Sequence, residues 1–273
     1  MTHTVPAWRR VLVVAAVLPF LVPLLWLLSG VFKPVGQFYA APPTVLPAPP
    51  SLDNLASVVG LLDVPRLIAN TLLIALLAVA FTVISSSLVG FAFATLRARG
   101  SRVLFAVLLV SIMIPPAATL IPQFVLFRTL GWVGTYLPLV VPHLFGSAFF
   151  IFLFRQWFRN LPPHLFESAE LDGANPWQAY RFIALPLARP ALAAVAVFAF
   201  IASWNDFLGP LVYLRDASTF TMSLGIASFQ GTYVNDVHLA VAAAAIALIP
   251  PLVVFLIAQR FLVGGVATSG WKA

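Results

Sequence analysis

Six long apolar runs, separated by short polar or proline-rich stretches, organise the 273-residue chain. None shows the two-residue alternation of a barrel strand, and each approaches the ~20 mostly apolar residues a helix needs to cross a bilayer. The predicted spans run from about Val11 to Phe32, Leu67 to Leu96, Val103 to Pro122, Leu137 to Trp157, Ala191 to Leu214 and Leu239 to Val263. The pattern therefore predicts an all-α membrane protein, with six transmembrane helices in a single domain over residues 1–273. Pro115 and Pro116, in "IMIPPAATLIP", are expected to bend or unwind the outer end of the third span. Pro250 and Pro251 fall inside the sixth. The apolar stretch from Gln123 to Tyr136 is short and reads as an interfacial or re-entrant piece. The first run follows Arg9 and Arg10, as a signal peptide would, but it exceeds a signal core of about 7–15 residues and no small-residue cleavage site follows. It is predicted to be a retained helix.

Composition agrees: 62% of residues are hydrophobic and 8% charged, with a mean hydropathy of +1.02. A soluble domain carries roughly 25% charged residues. The net charge of +7 then reads as a membrane-topology signal and not as a nucleic-acid footprint. With the N-terminus inside, Arg9, Arg10, Arg97, Arg99, Arg102, Arg155, Arg159, Arg181, Arg189, Arg260 and Lys272 are cytoplasmic, while Lys33, Arg66, Arg128 and Arg215 are outside. Eleven of the 15 basic residues on one side place both termini in the cytoplasm. The chain has no cysteine, so it can hold neither a disulfide nor a thiolate site. The outer stretch "KPVGQFYAAPPTVLPAPPSLDNL" is expected to be an extended connection with no core of its own.

The most polar stretch is "ESAELDGANPWQAYRFIALP", residues 167–186, which holds three of the eight acidic residues. Pro162 and Pro163 suit the start of a short helix, whose apolar residues are Leu165, Phe166, Ala169 and, less squarely, Leu171. Gly173 supplies a turn. Asn175 is a predicted N-cap with Pro176 at the first position of a second short helix reaching Tyr180. Such a segment lies across a membrane face instead of passing through it.

The residues Glu167, Ser168, Ala169 and Gly173, followed by Ile183, Leu185 and Pro186, resemble the EAA loop of ABC-importer permeases, with serine where that name expects a second alanine. "LDNL", "ANTLLIA", "WNDFLGPL" and "RFLVGGVATSGWKA" are similar to the carbohydrate-uptake branch, notably its smaller maltose-type membrane subunits. The resemblance implies a type I ABC importer fold with a cytoplasmic coupling helix between helices 4 and 5, in a loop over residues 159–190. It implies a translocation subunit that is not itself an enzyme and carries no cofactor. ATP and magnesium would belong to two partner ATP-binding subunits, and a second homologous permease and an extracytoplasmic solute-binding protein would complete the assembly. Glu167, Ser168, Ala169, Asp172 and Gly173 would meet the ATPase: small residues allow close approach, and acids fix register. A tail including Gly265 and Lys272 would enter the interface between the ATPase chains, with Trp271 departing from the family pattern. The loop from Arg215 to His238 would probe the binding protein.

Other polar residues admit two readings. Asp206 is the acid placed inside a span, where a charge is costly and functional by default. With Trp204 and Asn205 it would line a sugar path, or else sit near the outer interface and satisfy a neighbouring helix. Asn70, Thr71 and Ser85 to Ser87 would line the same path or hydrogen-bond between helices. His143 has no partner at metal-ligand spacing, and His3, His164 and His238 are equally isolated, so no metal site is predicted. No phosphate-binding loop G-x-x-x-x-G-K-[ST] occurs. The alternative function is a self-contained secondary transporter, coupled to ions or protons through Asp206 and His143.

Overall fold

The computed structural model describes residues 7–96, 98–231 and 236–269. In chain order its helices are α1 (Ala7–Val31), α2 (Val35–Phe38), α3 (Asp53–Leu61), α4 (Val64–Thr95), α5 (Ser101–Ser111), α6 (Pro116–Thr129), α7 (Leu137–Val140) and α8 (Ala148–Arg159). They continue as α9 (His164–Leu171), α10 (Pro176–Ala179), α11 (Leu185–Leu187), α12 (Arg189–Trp204), α13 (Leu208–Tyr213), α14 (Met222–Ala227) and α15 (Val237–Ser269). Hydrocarbon offers a backbone no water, so helices are the form that satisfies these apolar runs within themselves.

Among the described residues four stretches are each long and apolar enough to cross a membrane: Leu12–Val31, Val64–Thr95, Leu137–Arg159 and Val237–Arg260. Two more are bent pairs, α5 with α6 at 99° and Pro176–Leu187 with α12 at 78°, which brings the total to six. The third span therefore stops earlier than its composition suggests. Pro115 is extended and caps α6, Pro116 occupies its first turn, and α5 ends at Ser111. The fourth is broken too, with a 3-10 stretch over Val141–Phe145 and Gly146 at φ 78° before α8 starts. The predicted fifth span, Ala191 to Leu214, divides at Asn205 into α12 and α13. The sixth lies within α15, whose apolar stretch is Val237–Arg260 and which runs on as helix through Gly265 to Ser269.

The chain divides into two compact units. The first comprises Met1–Pro65 and Gly225–Ile249. In it the proline-rich connection is stapled by polar contacts and is not a free linker. The Lys33 ammonium is buried, donates to the Thr44 carbonyl and lies 4.2 Å from the Trp26 ring centroid. Buried Asn54 donates to the carbonyls of Val31 and Lys33 at 3.2 and 2.9 Å, and Gln37 exchanges hydrogen bonds with Ala48. Apolar Val45 and Leu46 remain exposed, so the staples stand in for a core here.

The second unit comprises Arg66–Leu224 and Pro250–Ala273. One cluster packs Phe91 of α4 against Phe154 and Phe158 of α8, Tyr180, and Ala191 and Val195 of α12. Another joins Ile74 to Phe127, Leu139, Val140 and Tyr213. Gly90 sets the closest helix approach. A Cβ there would fall 2.6 Å from the Phe154 Cβ, 3.0 Å from the Arg155 nitrogen and 3.1 Å from the Ile151 carbonyl oxygen. Two of these are backbone atoms that cannot swing aside, and such small-residue contacts are how membrane helices pack without a hydrophobic drive.

Replacing Gly90 by alanine is expected to destabilise the protein by about 1–3 kcal/mol, the usual cost of overpacking. Gly60→Ala, in α3 with open space around it, serves as the neutral control. Thermal unfolding in detergent should show a lower midpoint for the first and an unchanged one for the second.

Candidate functional site

The segment after α8 folds into two short helices by purely local chemistry. At the end of α9, Asp172 is the C-cap, the Gly173 N–H donates to the Glu170 carbonyl at 3.0 Å and the Ala174 N–H to the Ala169 carbonyl at 2.9 Å. This paired closure needs a left-handed residue, and Gly173 sits at φ 79°. No atom lies within 4 Å of a Cβ built there, so conformation alone demands glycine. Asn175 then opens α10 with a reciprocal cap: its Oδ1 accepts the Gln178 N–H at 2.9 Å, and Gln178 Oε1 accepts the Asn175 N–H at 2.8 Å. Pro176 takes the first helical position. The second helix does not stop at Tyr180. It runs on through a π-helical turn, Tyr180–Ala184, and α11 before bending at Ala188 into α12.

Burial sorts the predicted residues. Phe166 packs on the cluster around Phe91, and Ala169 is buried. Ala169 therefore faces its own chain and is not part of an outward small-residue surface. Glu167, Ser168, Glu170, Asp172 and Gly173 are exposed. Leu171 belongs with them and not with the apolar side assigned to it, because it is 90% exposed. A cavity of about 610 Å³ opens behind α9, lined by Phe91, Phe158 and Phe166 and by Arg159, Glu167 and Glu170 among others. Exposed Glu167, Glu170 and Asp172 thus share one short helix and its cap with a bare leucine.

The four residues predicted for a solute path differ in burial and in what they bind. Trp204 is buried, stacked on Phe200 at 5.6 Å in a cluster with Ala75, and offers no free ring face to a sugar. Asn70 uses its amide to hold a loop, donating to the carbonyls of Ser218 and Phe220 at 2.9 Å each. Asp216 caps the turn carrying those carbonyls, and the Ser218 backbone N–H holds its carboxyl below the usual carboxylate range. Asn205 is exposed and Asp206 half-buried in the break between α12 and α13. One Asp206 carboxylate oxygen accepts the Gly209 N–H at 3.1 Å, and its carbonyl accepts from Ser223 Oγ at 2.7 Å. The Tyr213 hydroxyl is buried without a hydrogen-bond partner among the described residues.

Thr71, Thr82 and the three serines of α4 serve backbone or side chains of other segments. Thr71 Oγ1 accepts the Met222 N–H at 2.8 Å, and Thr82 Oγ1 lies 2.9 Å from His143 Nδ1. Among the described residues no group of His, Asp and Glu could hold a metal ion. Gly265 lies within α15 and not in a loose tail. Arg97, Thr232 to Asn235, Trp271 and Lys272 are outside the described residues. Sequence patterns could not reveal Leu171, since its direction depends on how α9 rolls onto Phe91 and not on its hydropathy.

A family profile described as "Binding-protein-dependent transport system inner membrane component" matches residues 86–268. The lactose transport system permease protein of Rhizobium radiobacter is 33% identical over 247 residues, 90% of this chain and 89% of the relative. The arabinooligosaccharides transport system permease protein of Halalkalibacterium halodurans is 32% identical over 203 residues, 74% of this chain and 72% of the relative. A chain in the crystal structure of a bacterial ABC transporter involved in import of the acidic polysaccharide alginate superposes with a TM-score of 0.79. It is 22% identical and matches over 95% of this chain and 99% of that one. At that identity the likeness concerns the fold.

Asn175→Ala should remove the reciprocal cap and cost about 0.5–2 kcal/mol locally. Hydrogen exchange is expected to quicken at Gln178 and Ala179 while the global melting temperature barely moves.

Proposed function

Because this chain belongs to the family of binding-protein-dependent transport system inner membrane components, we propose that it is the translocation subunit of an ABC importer for a sugar or oligosaccharide. The observation that carries the reading is the 33% identity to a lactose permease along nine-tenths of the chain. ATP is hydrolysed on two separate ATP-binding subunits, a second related permease completes the pathway, and an extracytoplasmic binding protein delivers the solute. Both termini face the cytoplasm, in keeping with the arginine distribution.

In this reading α9, the turn at Gly173 and α10 form the coupling segment. Glu167 and Asp172 pair with basic groups on the ATPase, and Leu171 enters its apolar cleft. Desolvating a leucine exposed to 90% supplies about 1.5–3 kcal/mol, while the charges set register and encounter rate. Ser168 and Gly173 keep the approach close. Asn205 and Asp206 are the polar groups assigned to the solute path. The loop from Arg215 to His238 reaches towards the binding protein, and the end of α15 with Lys272 meets the ATPase pair.

The test is reconstitution in proteoliposomes with the cognate ATPase, partner permease and binding protein. Uptake of a di- or oligosaccharide that requires ATP and binding protein supports the assignment. Uptake driven by an ion gradient without the ATPase, or selectivity for a solute that is not a carbohydrate, overturns it. Glu167→Lys is expected to leave membrane insertion intact, weaken ATPase binding and abolish uptake. Leu171→Ala should weaken ATPase binding by at least about tenfold, as loss of a buried apolar anchor does at an interface. Normal uptake in the first variant, with the ATPase still bound, would refute the coupling role.

A further inference from the structure

Three consecutive hydroxyls on α4 reach three different parts of the second unit. Ser85 Oγ lies 3.0 Å from the carbonyl of His143. Ser86 Oγ accepts the Ser147 N–H at 3.1 Å. Ser87 Oγ lies 2.8 Å from the Tyr180 hydroxyl. Successive helical residues point about 100° apart, so three in a row do not share a face. Ser85 and Ser86 thus meet backbone on either side of one break, while Ser87 meets a side chain of another segment. His143 and Ser147 flank the break in the fourth span at Gly146. Tyr180 opens the π-helical turn that follows α10, and such turns are frequent at functional sites.

The proton count makes these joints exchangeable. Ser85 has one proton and two good acceptors, the Phe81 carbonyl at 2.6 Å in its own helix and His143 at 3.0 Å. It can release the break and remain satisfied. Ser87 can donate to the Ile84 carbonyl at 3.2 Å while accepting from Tyr180. It too loses nothing essential when Tyr180 withdraws. Tyr180 has the opposite character: it is buried, so its hydroxyl needs Ser87. The contact is asymmetric: Tyr180 depends on Ser87 more than Ser87 depends on Tyr180, so a displacement of Tyr180 is opposed at α4.

We propose that the Tyr180–Ser87 bond, continued through Ser86–Ser147 and Ser85–His143, is a positioning relay that ties the coupling segment to the break in the fourth span. It rests on the reading of α9 and α10 as the ATPase-docking segment. Gly146 is where the fourth span can yield: it holds φ 78°, and a Cβ there would meet Ile151 Cδ1 at 3.0 Å and both Ser85 and Ser86 Oγ at 3.5 Å. The hydroxyls thus close on a backbone that has no side chain of its own at that point.

Tyr180→Phe, Ser87→Ala, the double variant and Ser87→Thr are to be compared in the complete reconstituted transporter. Assembly, melting temperature, basal ATP hydrolysis, stimulation by loaded binding protein and solute imported per ATP are read for each. Tyr180→Phe is expected to assemble and hydrolyse ATP at the basal rate but lose about fivefold or more in stimulation, the lower end for coupling between sites. Ser87→Ala should lose a similar factor, the double variant should be no worse than either, and Ser87→Thr should recover most of it. Unchanged stimulation in Tyr180→Phe, additive losses in the double variant, or a loss that only follows lost assembly would each overturn the relay. Failure of the underlying reading is separately visible: the ATPase would then bind the Glu167→Lys permease normally, whatever Tyr180 does.

Discussion

The contact that the second unit depends on is the meeting of α4 and α8 at Gly90, where helix backbones approach too closely for any side chain. That approach stacks Phe91, Phe154 and Phe158 into one enclosed cluster. It also fixes the height at which the hydroxyls of α4 stand beside the fourth span. One turn away along α4, the same face holds Ser86 and Ser87 in full burial. A wider separation would leave those oxygens short of the Ser147 N–H and the Tyr180 hydroxyl. Unpartnered polar groups at that depth cost several kcal/mol each in hydrocarbon.

A second constraint follows from the breaks. Uninterrupted helices need no outside help, yet among the described residues spans are interrupted at Pro115, Gly146, Ala188 and Asn205. Each is repaired differently. Pro115 has no N–H to satisfy, Ser86 serves the N–H of Ser147, and the Ala188 N–H still reaches the Ala184 carbonyl at 2.9 Å. At the last break Asp206 supplies the missing cap through Gly209. Irregular backbone at membrane depth persists only where protein or a cavity satisfies it. These positions are therefore where the chain bends without exposing bare amides to lipid.

What the sequence made readable was whatever is decided within a few residues. Gly173, Asn175 and Pro176 announce the two short helices because their caps close over three or four positions. Apolar run length likewise announces the spans. What it concealed was decided by neighbours distant along the chain. Trp204 looks like a sugar-stacking ring until Phe200 and Ala75 enclose it. Asn70 looks like a path-lining amide until Ser218 and Phe220 claim both its hydrogens. Ser85 to Ser87 look like a slippery polar patch, and only the fold assigns each a separate partner. Gly146 gave no local sign that its span would break, since a lone glycine in a membrane helix is common.

The bare side chain of Leu171 has a consequence for hydration. It stands at 90% exposure on a surface that its own fold cannot cover, with Trp177 and Phe182 also uncovered on the segment that follows. In the chain by itself, water must surround an apolar tip that stands beside Glu170 and Asp172, so α9 carries a hydration cost of about 1.5–3 kcal/mol that any surface covering Leu171 would return.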